Sequence, residues 1–317
     1  MRYRLALPLV ILICALGASF GRVYRVRKVG EWPNFVALSP DGRTAYVTSF
    51  GSGDLIAVDL AQRAVTRSVA VGSAPLGIAL ADAGKTAFVA CKDSGTVAVV
   101  NLESFRVEAN IKVTGAPNAV AIGAKGYRAF VTNFGRSKEG QLHIIDVRDR
   151  NLTGTIKMGM APIALAVSPI SEMVYVVNGG SNEVWVVDPG RQSVLQKIPV
   201  GDAPDGIAIT PDGKRVFVSN SRTSDLSVID TQLNRVLVTI PVGKMPFGVA
   251  VSPDGKRVFV VNTGSRTVSV LPADLSSLES QSFEVDKGPV DIKVTPDSRT
   301  VVVVNEQSNS LVIVEVS

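Results

Sequence analysis

The stretch from Pro204 to Gly243, PDGIAITPDGKRVFVSNSRTSDLSVIDTQLNRVLVTIPVG, reads as four short strands parted by turn signals. Ile207–Thr210 is apolar, and Pro211-Asp212-Gly213-Lys214 is turn chemistry. Arg215–Asn220 alternates, Ser221–Ser224 is a polar loop, and Leu226–Asp230 is apolar again. A turn at Thr231–Asn234 leads into Arg235–Val242 and a loop glycine. Strands this short and turns this tight make an antiparallel meander. One such sheet cannot cover both of its faces and needs neighbours of the same build.

Those neighbours are present. The proline that opens the unit recurs at Pro33, Pro75, Pro117, Pro162, Pro204, Pro246 and Pro289, at intervals of 42, 42, 45, 42, 42 and 43 residues. The aromatic of the second strand keeps step at Tyr46, Phe88, Phe130, Tyr175, Phe217 and Phe259, with Val302 in the seventh place. Four strands at this period predict an all-β fold, a β-propeller, and seven units predict seven blades of four antiparallel strands.

Residues 1–20, MRYRLALPLVILICALGASF, place Arg2 and Arg4 before an apolar run and small residues after it. This is the layout of a secretory signal peptide. The run from Leu5 to Leu16 is 12 residues with Pro8 inside it, short of the roughly 20 that a membrane span needs. Cleavage is expected between Gly17 and Ser19, with an uncleaved anchor the alternative. Cys14, within the run and preceded by Ile13, is not placed like a lipoprotein cysteine. The expected location is periplasmic or extracellular, with no insertion in the membrane beyond this segment. Loss of Arg2 and Arg4 brings the formal charge from +5 to +3, mild for a chain of 317 residues. Of the two cysteines only Cys91 would remain, so no internal disulfide is available and stability must come from the core.

Residues 22–317 are all used by the propeller. Tyr24–Val29 resembles the strand that ends each unit, while the last unit stops after its third strand at Leu311–Ser317. The N-terminal segment is therefore expected to be the outer strand of the last blade, closing the ring and removing two open edges.

The first strand of each unit predicts a wedge. Two residues after the prolines stand Phe35, Gly77, Ala119, Ala164, Gly206, Gly248 and Asp291; four after stand alanines, with Lys293 in the last unit. Small side chains there let blades approach near the axis. Asp291 and Lys293 break the pattern, and the reading divides between a structural ion pair in a wet channel and a ligand site.

The segments FVTN (Phe130–Asn133), YVVN (Tyr175–Asn178), FVSN (Phe217–Asn220) and FVVN (Phe259–Asn262) resemble the motif of the YVTN-type β-propeller repeat family. The turns SPDG (Ser39–Gly42, Ser252–Gly255) and TPDG (Thr210–Gly213) match too. Ser49 and Cys91 replace the asparagine in blades one and two, and blades two to four lack the SPDG turn. The resemblance implies an exported or surface protein of bacteria or archaea, within a superfamily that also holds haem d1-binding domains, lactonases and quinoprotein-like propellers. Fold does not choose among these.

The recurring asparagines (Asn133, Asn178, Asn220, Asn262, Asn305) are read as caps of the turn that follows, and Asp59, Asp146, Asp188 and Asp230 likewise at the ends of third strands. His143 is the only histidine and stands on a third strand, about 10 Å from the innermost one. A Ser-His-Asp triad, a His/Cys zinc site and covalent haem are therefore poorly served. No catalytic residue, metal or cofactor is assigned.

The variable positions gather where linkers precede the prolines and where loops follow the YVTN motif. The candidate ligand-binding residues there and at the channel mouth are Trp32, Phe50, Phe134, Arg136, Lys138, Asp205, Arg222, Phe247, Arg266, Asp291 and Lys293. Loops on a rigid frame are where recognition sits. Aromatics among Arg and Lys suit a protein partner or an anionic or aromatic ligand, with single-stranded nucleic acid as one case. The reading is a monomeric, non-catalytic binding scaffold. The alternative is a lactonase-type hydrolase or quinoprotein-like oxidoreductase, which requires Asp205, Asp291 and Glu31 or Glu306 to converge at the channel mouth.

Overall fold

The computed structural model describes residues 20–134 and 139–316. The leader reading up to residue 19, and Arg136 and Lys138 in the blade-three loop, lie outside the described residues.

Seven antiparallel sheets of four strands each surround one axis. In blade five the strands are Pro204–Ile209, Arg215–Asn220, Asp225–Asp230 and Arg235–Pro241, innermost first. The innermost strand starts at the proline itself rather than at Ile207, because a register shift between Pro204 and Ile207 re-aims the residues between them. The same irregularity follows the opening proline in every blade.

Turn chemistry fixes the hairpins. In blade one Ser39 Oγ accepts the Thr44 N–H at 2.9 Å, and Asp41 Oδ1 accepts that of Arg43 at 3.0 Å. Thr210, Ser252 and Thr295 repeat the arrangement. Blade seven thus builds the turn from Thr295-Pro296-Asp297-Ser298, with Ser298 at φ 61 where Gly213 and Gly255 take 71. Asp59, Asp146, Asp188 and Asp230 accept N–H groups two or three residues ahead, capping the outer turns as expected.

The asparagines behave differently from the expectation. Each is fully buried, and their partners differ from blade to blade: Asn178 and Asn305 donate to the carbonyls of Val176 and Val303 on their own strands, at 3.2 and 3.1 Å. Asn133 Oδ1 accepts the Ala116 N–H at 2.8 Å, in the linker before its own blade's proline. Asn220 donates to Ser227 on the third strand at 2.9 Å, and Asn262 to Ser269 at 2.9 Å. A Cβ on the linker residue Gly201 would lie 2.6 Å from the Asn220 amide. The short side chain of Ser49 does the same task in blade one, exchanging hydrogen bonds with the Glu31 backbone at 2.8 and 2.7 Å.

The core lies between blades. Phe88, Phe130, Phe217 and Phe259 are fully buried. Gly77 shows the wedge: a Cβ there would meet Ala119 Cα at 2.6 Å and Asn118 O at 2.7 Å, on the inner strand of the next blade. A Cβ on Gly206 would press closer still on the Phe247 carbonyl, and one on Gly248 would meet Val290 O at 2.8 Å.

Ring closure follows the expected plan with different bounds. The N-terminal strand is Phe20–Arg27, four residues earlier in its start than Tyr24, and pairs from Phe20 with Val316 to Arg27 with Ser310. It completes the sheet of Pro289–Val294, Thr300–Asn305 and Ser310–Val316. Arg25 Nε meets Asp286 Oδ1 at 2.8 Å, and Ser310 Oγ donates to Asp286 Oδ2 at 2.9 Å. Val26 and Val29 then join one apolar cluster with Val36 and Val47 of blade one and Val302 and Val304 of blade seven. No helix among the described residues is long and apolar enough to cross a membrane.

Candidate functional site

In six blades the residue before the proline accepts, through its carbonyl, the N–H of the residue after the YVTN position. Examples are Phe50 to Trp32 at 3.0 Å, Ser221 to Ala203 at 2.9 Å and Glu306 to Gly288 at 2.8 Å. Linkers and second-strand loops are therefore laced together on one face of the disc. The lacing holds non-glycine residues in the left-handed region, with Trp32 at φ 50, Ala203 at 52 and Met245 at 49.

This face carries two concentric sets of side chains. The inner set consists of the residues just after the prolines: Asn34, Leu76, Asn118, Ile163, Asp205, Phe247 and Val290 all line the central channel. The channel encloses about 860 Å³. Deeper in, its wall is mostly Val, Leu, Ile and Ala from the inner strands, interrupted by Asp291 and Lys293. The sequence reading took Asp205 and Phe247 from this set and missed the other five. The signal was available, since they share one repeat position whose chemistry changes from blade to blade.

Asp291 is buried, and its carboxylate is fully engaged. It accepts the Val36 N–H at 3.0 Å and pairs with Lys293 Nζ at 3.1 Å, while Lys293 also donates to the Ile292 carbonyl at 3.2 Å. The Asp291–Val36 bond clasps blade seven to blade one, and Lys293 on the same strand balances its charge. Asp205 is different: burial pushes its carboxyl above the ordinary carboxylate value, opposed by a hydrogen bond from Ser221. Glu306, which follows the second strand of blade seven, also lines the channel and accepts a hydrogen bond from Asn34 Nδ2 at 3.3 Å. Glu31 lines neither this channel nor the hollow beside it. Among the described residues, no three His, Cys, Asp or Glu side chains come together in a way that could hold a metal ion.

The remaining candidates scatter. Trp32 and Phe50 lie together, ring centroids 6.4 Å apart, and help line a second hollow of about 420 Å³. Arg222 is exposed and paired with Asp202 at 3.1 Å, and that partner together with Asn182 holds the Asp202 carboxyl low. Phe134 ends its strand half-buried, and Arg266 is an exposed loop residue; neither lines the channel or the hollow. His143 is buried on its third strand with Nδ1 3.0 Å from Thr155 Oγ1 and Nε2 3.3 Å from the Thr114 carbonyl, and burial lowers its pKa. It does not reach the channel.

A family model described as YNCE-like beta-propeller matches residues 67–257. Among solved structures, a chain of Kuenenia stuttgartiensis hydrazine synthase is similar with a TM-score of 0.83 and 20% identity. The match covers 92% of this chain and 97% of that one, and at such identity it speaks for the fold alone. No curated protein matches the sequence.

Proposed function

Since the chain belongs to the YNCE-like β-propeller family, we propose that it is a non-catalytic binding module whose contact surface is the linker face. The observation that carries this is the contrast between frame and lining. Lacing, glycines and prolines repeat, while the residues after the prolines run from Asn34 and Asp205 to Leu76 and Phe247 around one mouth. A rigid support with unlike side chains at equivalent places is how recognition is built. The bonds of Asp291 to Val36 and Lys293 suit a structural tie between blades, which supports this reading. With this goes export through the leader of residues 1–20, a monomeric state, and a protein or an anionic or aromatic ligand as partner.

The test is a thermal-shift screen of residues 20–317 against divalent metals, anionic small molecules, quinones, single-stranded oligonucleotides and oligosaccharides. A ligand at about 100 times its Kd adds about 2.7 kcal/mol. A shift abolished by Phe247→Ala, yet kept by Ile170→Ser in an inner-hairpin turn, supports the reading. Shifts that ignore Phe247 and every other mouth residue remove it.

Asp205 favours a second reading, the hydrolase or oxidoreductase. A half-buried carboxyl with a raised pKa in a channel mouth is the kind of group that serves as general acid or base. Turnover of a lactone or alcohol panel that vanishes in Asp205→Asn would establish it. Turnover unaffected by that change would end it.

A further inference from the structure

We propose that the hollow spanning blades seven, one and two binds an uncharged glycan. This rests on the linker face being the contact surface and says what the face contacts.

The floor of the hollow is aromatic. Trp32 is 58% exposed, and its ring lies 6.4 Å from that of Phe50 at 32°. Nothing in the turn demands a large side chain there, because Ala74, Ala161 and Ala203 fill the equivalent place in other blades. Trp32 is nonetheless held in the left-handed region, its N–H bonded to Asn309 Oδ1 at 2.9 Å and its carbonyl to the Phe50 N–H. The same left-handed backbone recurs at Ala74, Ala161, Ala203 and Met245, so what sets this blade apart is the exposed aromatic ring itself, which with Phe50 makes an apolar patch on the surface.

Four polar residues from three blades line the hollow around that floor: Asn34, Gln307, Glu306 and Lys92. The Asn34–Glu306 hydrogen bond orients two of them. Their charges cancel. A phosphate chain would gain one lysine and meet a carboxylate, so a nucleic acid is poorly matched. A cation would meet Lys92. What the set offers is mixed donors and acceptors, two amides that do both, with no net preference for charge.

A pyranose has this complement. One face of the ring presents C–H groups that stack on an aromatic plane, and its edge carries hydroxyls that both donate and accept. The volume of about 420 Å³ lies within the range of small-ligand sites. Asn34, Leu76 and Glu306 belong to both the hollow and the channel, so a longer chain continues inward to the mouth.

The test uses the two tryptophans of the chain. In Trp185→Phe, Trp32 is the only tryptophan, and its emission is excited selectively beyond the tyrosine absorption band. Cellohexaose, maltohexaose, chitohexaose and a (dT) oligonucleotide are titrated at low and high salt. Saturable quenching or blue shift by an oligosaccharide, unaffected by salt, is expected. Phe50→Ala and Asn34→Ala should each weaken it about tenfold, as losing one stacking or hydrogen-bonding contact does. Phe50→Tyr should restore it, and unchanged melting guards against misfolding. No emission change with any of the three saccharides overturns the inference, as does binding of the oligonucleotide alone with steep salt dependence. If another ligand class still shifts melting through Phe247, the binding-module reading survives that failure.

Discussion

The Asp291 carboxylate accepts the backbone N–H of Val36 at 3.0 Å, although the two residues are 255 positions apart in the chain. The last blade thereby grips the first at the innermost strand. At the outermost strand Arg25 pairs with Asp286, in the linker that leads into blade seven, and ties the closing strand to its own blade. Asp291→Ala would leave a buried N–H without an acceptor and Lys293 without its partner. We expect a loss of about 2–3 kcal/mol in denaturant unfolding. Lys293→Met should cost a comparable amount, because it leaves the Asp291 carboxylate, only 7% exposed, without its counter-charge.

Gly77→Ala should destabilise by about 1–3 kcal/mol, as overpacking does when the obstructing atoms are backbone. The added methyl would meet Ala119 Cα and Asn118 O on the neighbouring strand, and neither can rotate away. Blade four carries Ala164 at the same repeat position, so the cost belongs to this contact and not to the position in general. Thermal unfolding of the variant decides the matter.

The pH dependence of stability should carry a signature of Asp205. Burial raises its carboxyl above the ordinary 3.8, so the folded protein holds that proton more firmly than the unfolded chain. Below 3.8 both states are protonated and the residue makes no difference. As pH rises above it the unfolded chain ionises more freely, and folded stability falls until the folded-state value is passed. Asp205→Asn is therefore expected to raise the unfolding midpoint at pH 7, with the gain closing toward pH 3.8. A gain of equal size at every pH would contradict this origin.

Cys91 is buried, and burial pushes its thiol up to about 11. It should resist thiol reagents at neutral pH in the folded protein and react only on unfolding. The unfolded protein also answers the question of export, since Cys14 lies in the leader. A mature chain secreted after cleavage titrates one thiol, and an uncleaved chain titrates two.

The architecture was legible in the sequence because its determinants are local and repeated. Pro204 and its six counterparts, the aromatic of the second strand and the S-P-D-G turn each act within one blade. The unmatched segment near Tyr24 was legible for the same reason, as a strand without a unit. The partner of each buried asparagine was not, because a side chain that ends a strand can turn to either neighbouring segment without changing the pattern. Nor was the mouth. Asn34 meets Glu306 only because the ring closes, and residues 272 positions apart share no spacing that a linear reading could find. Trp32 and Phe50 are 18 positions apart and were both singled out, but as separate exposed aromatics rather than as one floor.

The seam also sets how the molecule answers to tension. Phe20 pairs with Val316 at the very start of an antiparallel ladder, so the two ends leave the disc side by side. A pull on both ends loads the ladder one hydrogen bond at a time, as a zipper is loaded, and not all at once as in shear. The ring would open at blade seven first, peeling Phe20–Arg27 away until the Arg25–Asp286 pair takes the strain.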